Sequence, residues 1–432
     1  MSGAPTDYSV TGPSSAGDLP PPAALSAADR LLVAATFALL LLAPASGSAG
    51  LRGAMLVIAS AALLFGRGRH LLADLLAMPR AVLVTVAAWG ALATLSVAWS
   101  VAPRFSLSEL RGEVLYGLLA FAIFFIAAAR LARWRLWWIA VVTGTLAVFA
   151  LLVAQHSGVR ISRHPMHGGA GPWSTHLVLV APLLLAIVWP RPWGFERGVV
   201  AKFAALLLLM IAAAATGNRI VWAAFGTQLA VLIVISGSLP AMDAARVAML
   251  RRLAVIAALA VVIGFAASVL ERNEEHYRTD PSMTASIDRD LRPQLWSVAW
   301  TEFRKAPWLG HGFGREILKD KFLVVTPNAP GHPEMRHSHN MFSDIALQLG
   351  IAGVALILAV LAALAREYRG YLRDARLAPL GVIGLALIAG FVVKNLTDDF
   401  FYRHNALVFW ALNGMLLGLG RATSPRPPPA KS

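Results

Sequence analysis

The chain has 432 residues, 57% of them hydrophobic and 14% charged, with a mean hydropathy of +0.64 and a formal net charge of +15. A soluble domain carries roughly 45–50% apolar and about 25% charged residues, so a water-soluble core is excluded. Cysteine is absent, which rules out disulfides, thiolate metal sites and a cysteine nucleophile.

The apolar excess arrives in blocks of about 20 residues, the length that spans a bilayer as a helix. Backbone groups in lipid have to be satisfied within their own segment, so these blocks are expected to be helical. The alternating strands of a membrane β-barrel are not seen. An all-α polytopic membrane protein follows.

In chain order, residues 1–29 are rich in Pro, Ser, Gly and Ala and lack Lys and Arg. They are expected to form a disordered cytoplasmic tail, since a signal peptide would carry a basic start. Residues 30–270 hold nine predicted transmembrane helices, at about 31–45, 51–66, 79–99, 110–129, 136–155, 173–189, 199–215, 219–236 and 253–270. Residues 271–338 form one long loop with short helices. Residues 339–420 hold three more spans, at about 340–364, 377–395 and 402–420, and 421–432 form a second disordered tail.

Short loops alternate in basic content. One set holds Arg67, Arg69 and Arg80, then Arg130, Arg133 and Arg135, and later Arg366, Arg369, Arg373 and Arg376. The positive-inside rule makes that set cytoplasmic. With twelve spans both termini then lie inside a bacterial inner membrane and the 271–338 loop is periplasmic. The net positive charge is therefore a matter of topology and membrane lipids, not of nucleic acid.

Three polar clusters fall on the periplasmic side. Thr216-Gly217-Asn218-Arg219 places an Arg at a helix start, where a cation opposes the helix dipole and a structural role is disfavoured. Arg289-Asp290-Leu291-Arg292-Pro293-Gln294-Leu295-Trp296 opens a predicted amphipathic helix, Arg292 to Phe303, with Trp296, Trp300 and Phe303 on one face. It is followed by Pro307-Trp308-Leu309-Gly310-His311-Gly312-Phe313-Gly314, read as a glycine turn. Arg336-His337-Ser338-His339-Asn340 precedes the next span, and Lys394-Asn395-Leu396-Thr397-Asp398-Asp399 adds two acids to the same face. Asp288-Arg289-Asp290 has a D-x-D form, but flanking Arg residues compete with a metal, and the two His lack an evident third ligand; no metal site and no cofactor is expected.

Arg side chains bind pyrophosphate through charge-assisted hydrogen bonds and stabilise the charge that develops as it leaves. A neutral His can take the proton of an attacking hydroxyl.

Three motifs resemble the O-antigen ligase and polymerase superfamily. Thr216-Gly217-Asn218-Arg219 is similar to its T-G-S-R helix start. Arg292 to Trp296 with Pro307, Gly310 and Gly312 is similar to its R-x-x-x-W and P-x-x-G-x-G stretch. His339-Asn340 followed by Gly350 and Gly353 fits the ligases' H-N-x9-G-x-x-G pattern. The resemblance implies a GT-C-type fold and metal-independent, inverting transfer of a glycan from undecaprenyl pyrophosphate to a sugar of lipid A-core. It places the catalytic roles on His339, Arg219 and Arg292. Substrate-binding roles fall on Arg289, His337, Arg336, Asn340, Trp296, His311, Asp398 and Asp399, with Arg289 and Arg292 competing for one role. The competing readings are an O-antigen polymerase or a protein O-oligosaccharyltransferase of the same superfamily, and a flippase or transporter. A transporter should carry charges in mid-membrane; these spans read as nearly free of charge.

Overall fold

The computed structural model describes residues 25–159, 168–185, 199–237, 248, 252, 255–256, 258–269, 291–324 and 335–423. Among them every regular element is helical. In chain order these are α1 (Ala27–Leu42), α2 (Ala49–Arg67), α3 (Leu71–Leu76), α4 (Arg80–Leu95), α5 (Pro103–Glu109), α6 (Tyr116–Arg130), α7 (Trp134–His156), α8 (Ala170–Leu185), α9 (Val199–Ala214), α10 (Arg219–Gly237), α11 (Ala258–Val269), α12 (Arg292–Phe303), α13 (Lys319–Leu323), α14 (Met341–Tyr371), α15 (Ala378–Lys394) and α16 (Arg403–Thr423). A π-helical turn, Leu110–Leu115, joins α5 to α6.

The described residues of each predicted span lie mainly on a helix, and among the described residues seven helical stretches are long and apolar enough to cross a membrane. The other five coincide with α1, α8, α9, α11 and α15. α15 has 17 residues, about 25 Å at ~1.5 Å per residue, against a hydrocarbon core of about 30 Å. Hydropathy cannot separate such a helix from a full span, because its residues are apolar for another reason: most are buried against protein.

α15 and α16 form the centre. α16 is buried from Asn405 to Gly420 and lies against α6. The approach is close because Gly414 and Gly418 face backbone. A Cβ at Gly414 would stand 2.3 Å from the Phe121 carbonyl oxygen, and one at Gly418 2.2 Å from that of Phe125. Without a hydrophobic force between helices in lipid, such small-residue contacts are what gain dispersion energy. α8 and α10 pack on α15, and α14 packs on both α4 and α15.

α12 occupies the predicted residues, with Pro293 in its first turn, where a missing N–H costs nothing. Its inner face, Leu295 and Ala299, packs with Leu318, Phe322 and Leu347. Of the predicted aromatic face, Trp296 (40% exposed) and Trp300 (59%) point outward, whereas Phe303 packs partly against the inner cluster.

The glycine turn after α12 is built into a break in α14. At Gly350 the helix leaves helical geometry, with φ 64° and ψ −161°. The backbone of residues 307–312 enters that break. Pro307 and Trp308 carbonyls accept from the N–H groups of Ile351 (2.8 Å) and Ala352 (3.2 Å), while the N–H groups of His311 (2.8 Å) and Gly312 (2.9 Å) donate to Leu347 and Gln348. The two glycine motifs thus meet. A Cβ at Gly310 would lie 2.4 Å from Gln348 backbone, and one at Gly350 2.2 Å from Trp308 backbone. The loop's far edge is fixed to α4–α5: Val101 N–H donates to the His311 carbonyl (2.9 Å) and Phe313 N–H to Ser96 Oγ (3.0 Å).

Candidate active site

At one end of the bundle, five separate chain segments bring charged and polar groups together. The first is the turn before α14. Asn340 caps that helix: its side chain accepts from Ser343 N–H at 3.0 Å and donates to the Leu396 carbonyl at 2.7 Å. This ties the His337–His339 turn to the Asp398–Asp399 loop. Trp296 of α12 reaches the same turn, its indole N–H donating to the Ser338 carbonyl at 3.1 Å. His339 is held in the left-handed region, φ 55°, which costs a non-glycine residue of order 1–3 kcal/mol and is commonest at functional positions. Its ring lies against that of His337, centroids 4.1 Å apart.

His337 is buried, and its ring is held from both sides. Arg315 donates to Nε2, and Asp344 Oδ2 lies 3.3 Å from Nδ1. Because a guanidinium only donates, this pairing assigns the ring proton to Nδ1, facing the carboxylate. The His339 backbone N–H, 3.1 Å from the same nitrogen, donates to it in the other tautomer. Burial, with Arg315 beside it, pushes His337 down to about 4; burial, with His337 next to it, pushes His339 down to about 3. Both rings are neutral near pH 7.

The two acids divide. Asp399 hydrogen-bonds Asp344, and Arg315 Nε lies 3.3 Å from its Oδ2. Burial first, then the Asp344 charge, pushes Asp399 up to about 7. For Asp398 burial acts upward too, but it is outweighed: Lys394 pairs with it, Asn218 Nδ2 donates to it at 3.0 Å and Arg292 stands 3.9 Å away, so its carboxyl is held below the usual range. Asn218 also caps α10, accepting from Ile220 N–H at 3.3 Å, and donates to Ser174 Oγ at 3.1 Å. The Thr216–Arg219 motif therefore enters the site through Asn218, and Arg219 opens α10 immediately after it.

The remaining expected residues are placed as follows. Arg289 lies outside the described residues, as do Asp288 and Asp290. Arg336 is exposed and 3.6 Å from Glu316. His311 is a fastening point of the glycine loop, with Nε2 3.1 Å from the Glu302 carbonyl.

Arg315 and Asp344 were not singled out from the sequence, and Asn218 and Lys394 stood within the sequence clusters without a role of their own. Asp344 and Lys394 carried a readable signal, charge inside an apolar span; like Arg52 and Glu113, they are buried near span ends. Arg315 carried only its place beside the glycine run.

His337, Asp344 and Asp399 offer ligand atoms within 4.8 Å of one another, a metal-like spacing. The Arg315 guanidinium, however, already contacts both His337 and Asp399. It brings positive charge to the place a cation would occupy.

Fold and site together define a multi-pass helical membrane protein with an Arg–His–carboxylate centre at one end of its bundle. Residues 203–358 match the family described as O-antigen ligase, which supports membership of the O-antigen ligase/polymerase superfamily, whose members are glycosyltransferase-like enzymes. The match spans just over a third of the chain and includes Thr216–Arg219, α12, the glycine loop and the His337–Asn340 turn. No curated protein matches the chain.

Proposed function

We propose that this protein is an O-antigen ligase, transferring a glycan from undecaprenyl pyrophosphate to a sugar of lipid A-core on the periplasmic side of the inner membrane, with both termini cytoplasmic and residues 271–338 forming the periplasmic loop. The observation that carries the reading is the convergence of His339, Arg292 and Arg315 at one end of an apolar bundle. That arrangement lets a polyprenyl tail remain in lipid while its charged head enters the site.

In this reading His339 is the general base. Its neutral ring takes the proton of the acceptor hydroxyl, whose oxygen attacks the anomeric carbon as the bond to the pyrophosphate oxygen breaks. A single displacement inverts that carbon. Arg219 and Arg292 hold the pyrophosphate, and Arg315 adds charge compensation beside His337, so no metal is required. Burial first, then His337 and the neighbouring Arg292 and Arg315, hold His339 low; a pyrophosphate offsets the two Arg charges on entry and makes the ring a stronger base. His337, clamped by Arg315 and Asp344, orients its neighbour.

The test is transfer by purified protein in nanodiscs from a defined undecaprenyl-pyrophosphate donor to lipid A-core. His339→Ala is expected to lose about 10²–10⁴-fold in turnover with donor affinity unchanged. Full activity of that variant removes the base assignment. Product found only on the donor's own glycan overturns ligase in favour of polymerase.

A further inference from the structure

Arg315 and Asp399 also line a small cavity, ≈ 20 Å³, together with Glu113, Gln348, Trp89 and Trp410. Glu113 belongs to the π-helical turn Leu110–Leu115. π-Turns are rare and concentrate at functional places, because the widened turn re-aims a side chain. Here the carboxyl is aimed inward: Glu113 is 9% exposed, and its Oε1 is buried without a hydrogen-bond partner among the described residues. The Nε of Arg315 is in the same condition, since its 3.3 Å approach to Asp399 is an ion pair without hydrogen-bond alignment. No ion pair of Glu113 is found among the described residues; its side-chain hydrogen bond is to another carboxyl, Glu109. A cavity of this size holds one water, and a buried water needs two to four polar partners. Glu113 Oε1, Arg315 Nε and the Asp399 carboxylate provide three.

We propose that Glu113 is a positioning residue of the transfer site, joined through one buried water to Arg315 and Asp399. The proposal rests on the ligase reading for its effect on turnover, but not for the link itself. The water accepts from Arg315 and donates to Asp399; Glu113 fixes its orientation. Asp399 in turn faces Arg315 from the glycine loop, Asp344 from α14 and His337 from the preceding turn, while Glu113 faces Glu109, Asp399 and Arg315. The link therefore sets how firmly Arg315 is presented to His337.

The test replaces Glu113 by Leu, which fills similar space without hydrogen bonding, and by Gln, which keeps a donor and an acceptor. Donation to a carboxylate favours its charged form, so removing it raises the pH at which Asp399 protonates. The infrared C=O band of protonated carboxyls is followed against pH in the resting full-length protein, with Asp399→Asn identifying the band. Glu113→Leu is expected to move the midpoint up by about one pH unit, and Glu113→Gln to leave it in place. Turnover should fall about tenfold in the Leu variant at unchanged donor KM, with the acid limb of the pH–rate profile moving up by the same amount. If Glu113→Leu does not fold, Glu113→Ala takes its place with the same expected shift. An unmoved midpoint in the hydrogen-bond-free variant overturns the proposal, as does a Gln variant shifted equally far. A shifted band in a protein that transfers no glycan supports the link and defeats the ligase reading instead.

Discussion

Gly350→Ala tests whether the break in α14 is what seats the glycine loop. Two costs arise. The φ 64°, ψ −161° conformation is close to glycine-only space and costs an L residue about 2 kcal/mol. The new methyl would also stand 2.2 Å from Trp308 C and 2.5 Å from Leu309 N, and backbone cannot swing aside as a side-chain tip can. Relieving that clash displaces the Pro307–Trp308 segment and its bonds to Ile351 and Ala352, each worth about 1 kcal/mol. The expected total is about 4 kcal/mol. Gly370, near the other end of the same helix, has nothing within 4 Å of an added Cβ. Gly370→Ala should be neutral or stabilise by up to about 1 kcal/mol through helix propensity. Both variants are compared with the native protein by thermal unfolding in nanodiscs and by glycan transfer. Gly350→Ala should unfold at a clearly lower temperature and lose activity, because Arg315 hangs from the displaced loop. A Gly350→Ala protein with native unfolding temperature would refute the reasoning.

Arg219→Ala should weaken donor binding and slow transfer together, and Arg219→Lys should restore little, since an ammonium keeps the charge but loses the planar fork; a fully active Arg219→Ala, with donor affinity measured separately, removes Arg219 from the pyrophosphate site. EDTA should leave the transfer rate unchanged, and Arg315→Gln should lose turnover that Mg²⁺ does not restore; inhibition by EDTA with recovery on adding Mg²⁺ or Mn²⁺ would show that His337, Asp344 and Asp399 hold a cation after all.

The sequence by itself determined the helical, membrane-spanning class, because apolar content and block length are local properties. It also located α12 between Arg292 and Phe303, and it marked the Thr216–Arg219 and His337–Asn340 turns, since caps and helix starts are written in adjacent residues. Only the tertiary structure decided which of these groups face one another. Gly350 and Gly310 read as turn residues until the loop backbone is seen entering the helix break. His337 and His339 are two residues apart in sequence, yet one is clamped by Arg315 and Asp344 and the other stands half-buried against it. Arg315 was one basic residue among many in the loop, and it becomes central because Asp399, 84 positions later, lies 3.3 Å away. Asn218 meets Asp398 across 180 residues. Periodicity reports a helix's own faces; burial and partnership depend on what other segments bring to those faces, and that is settled only when the bundle packs.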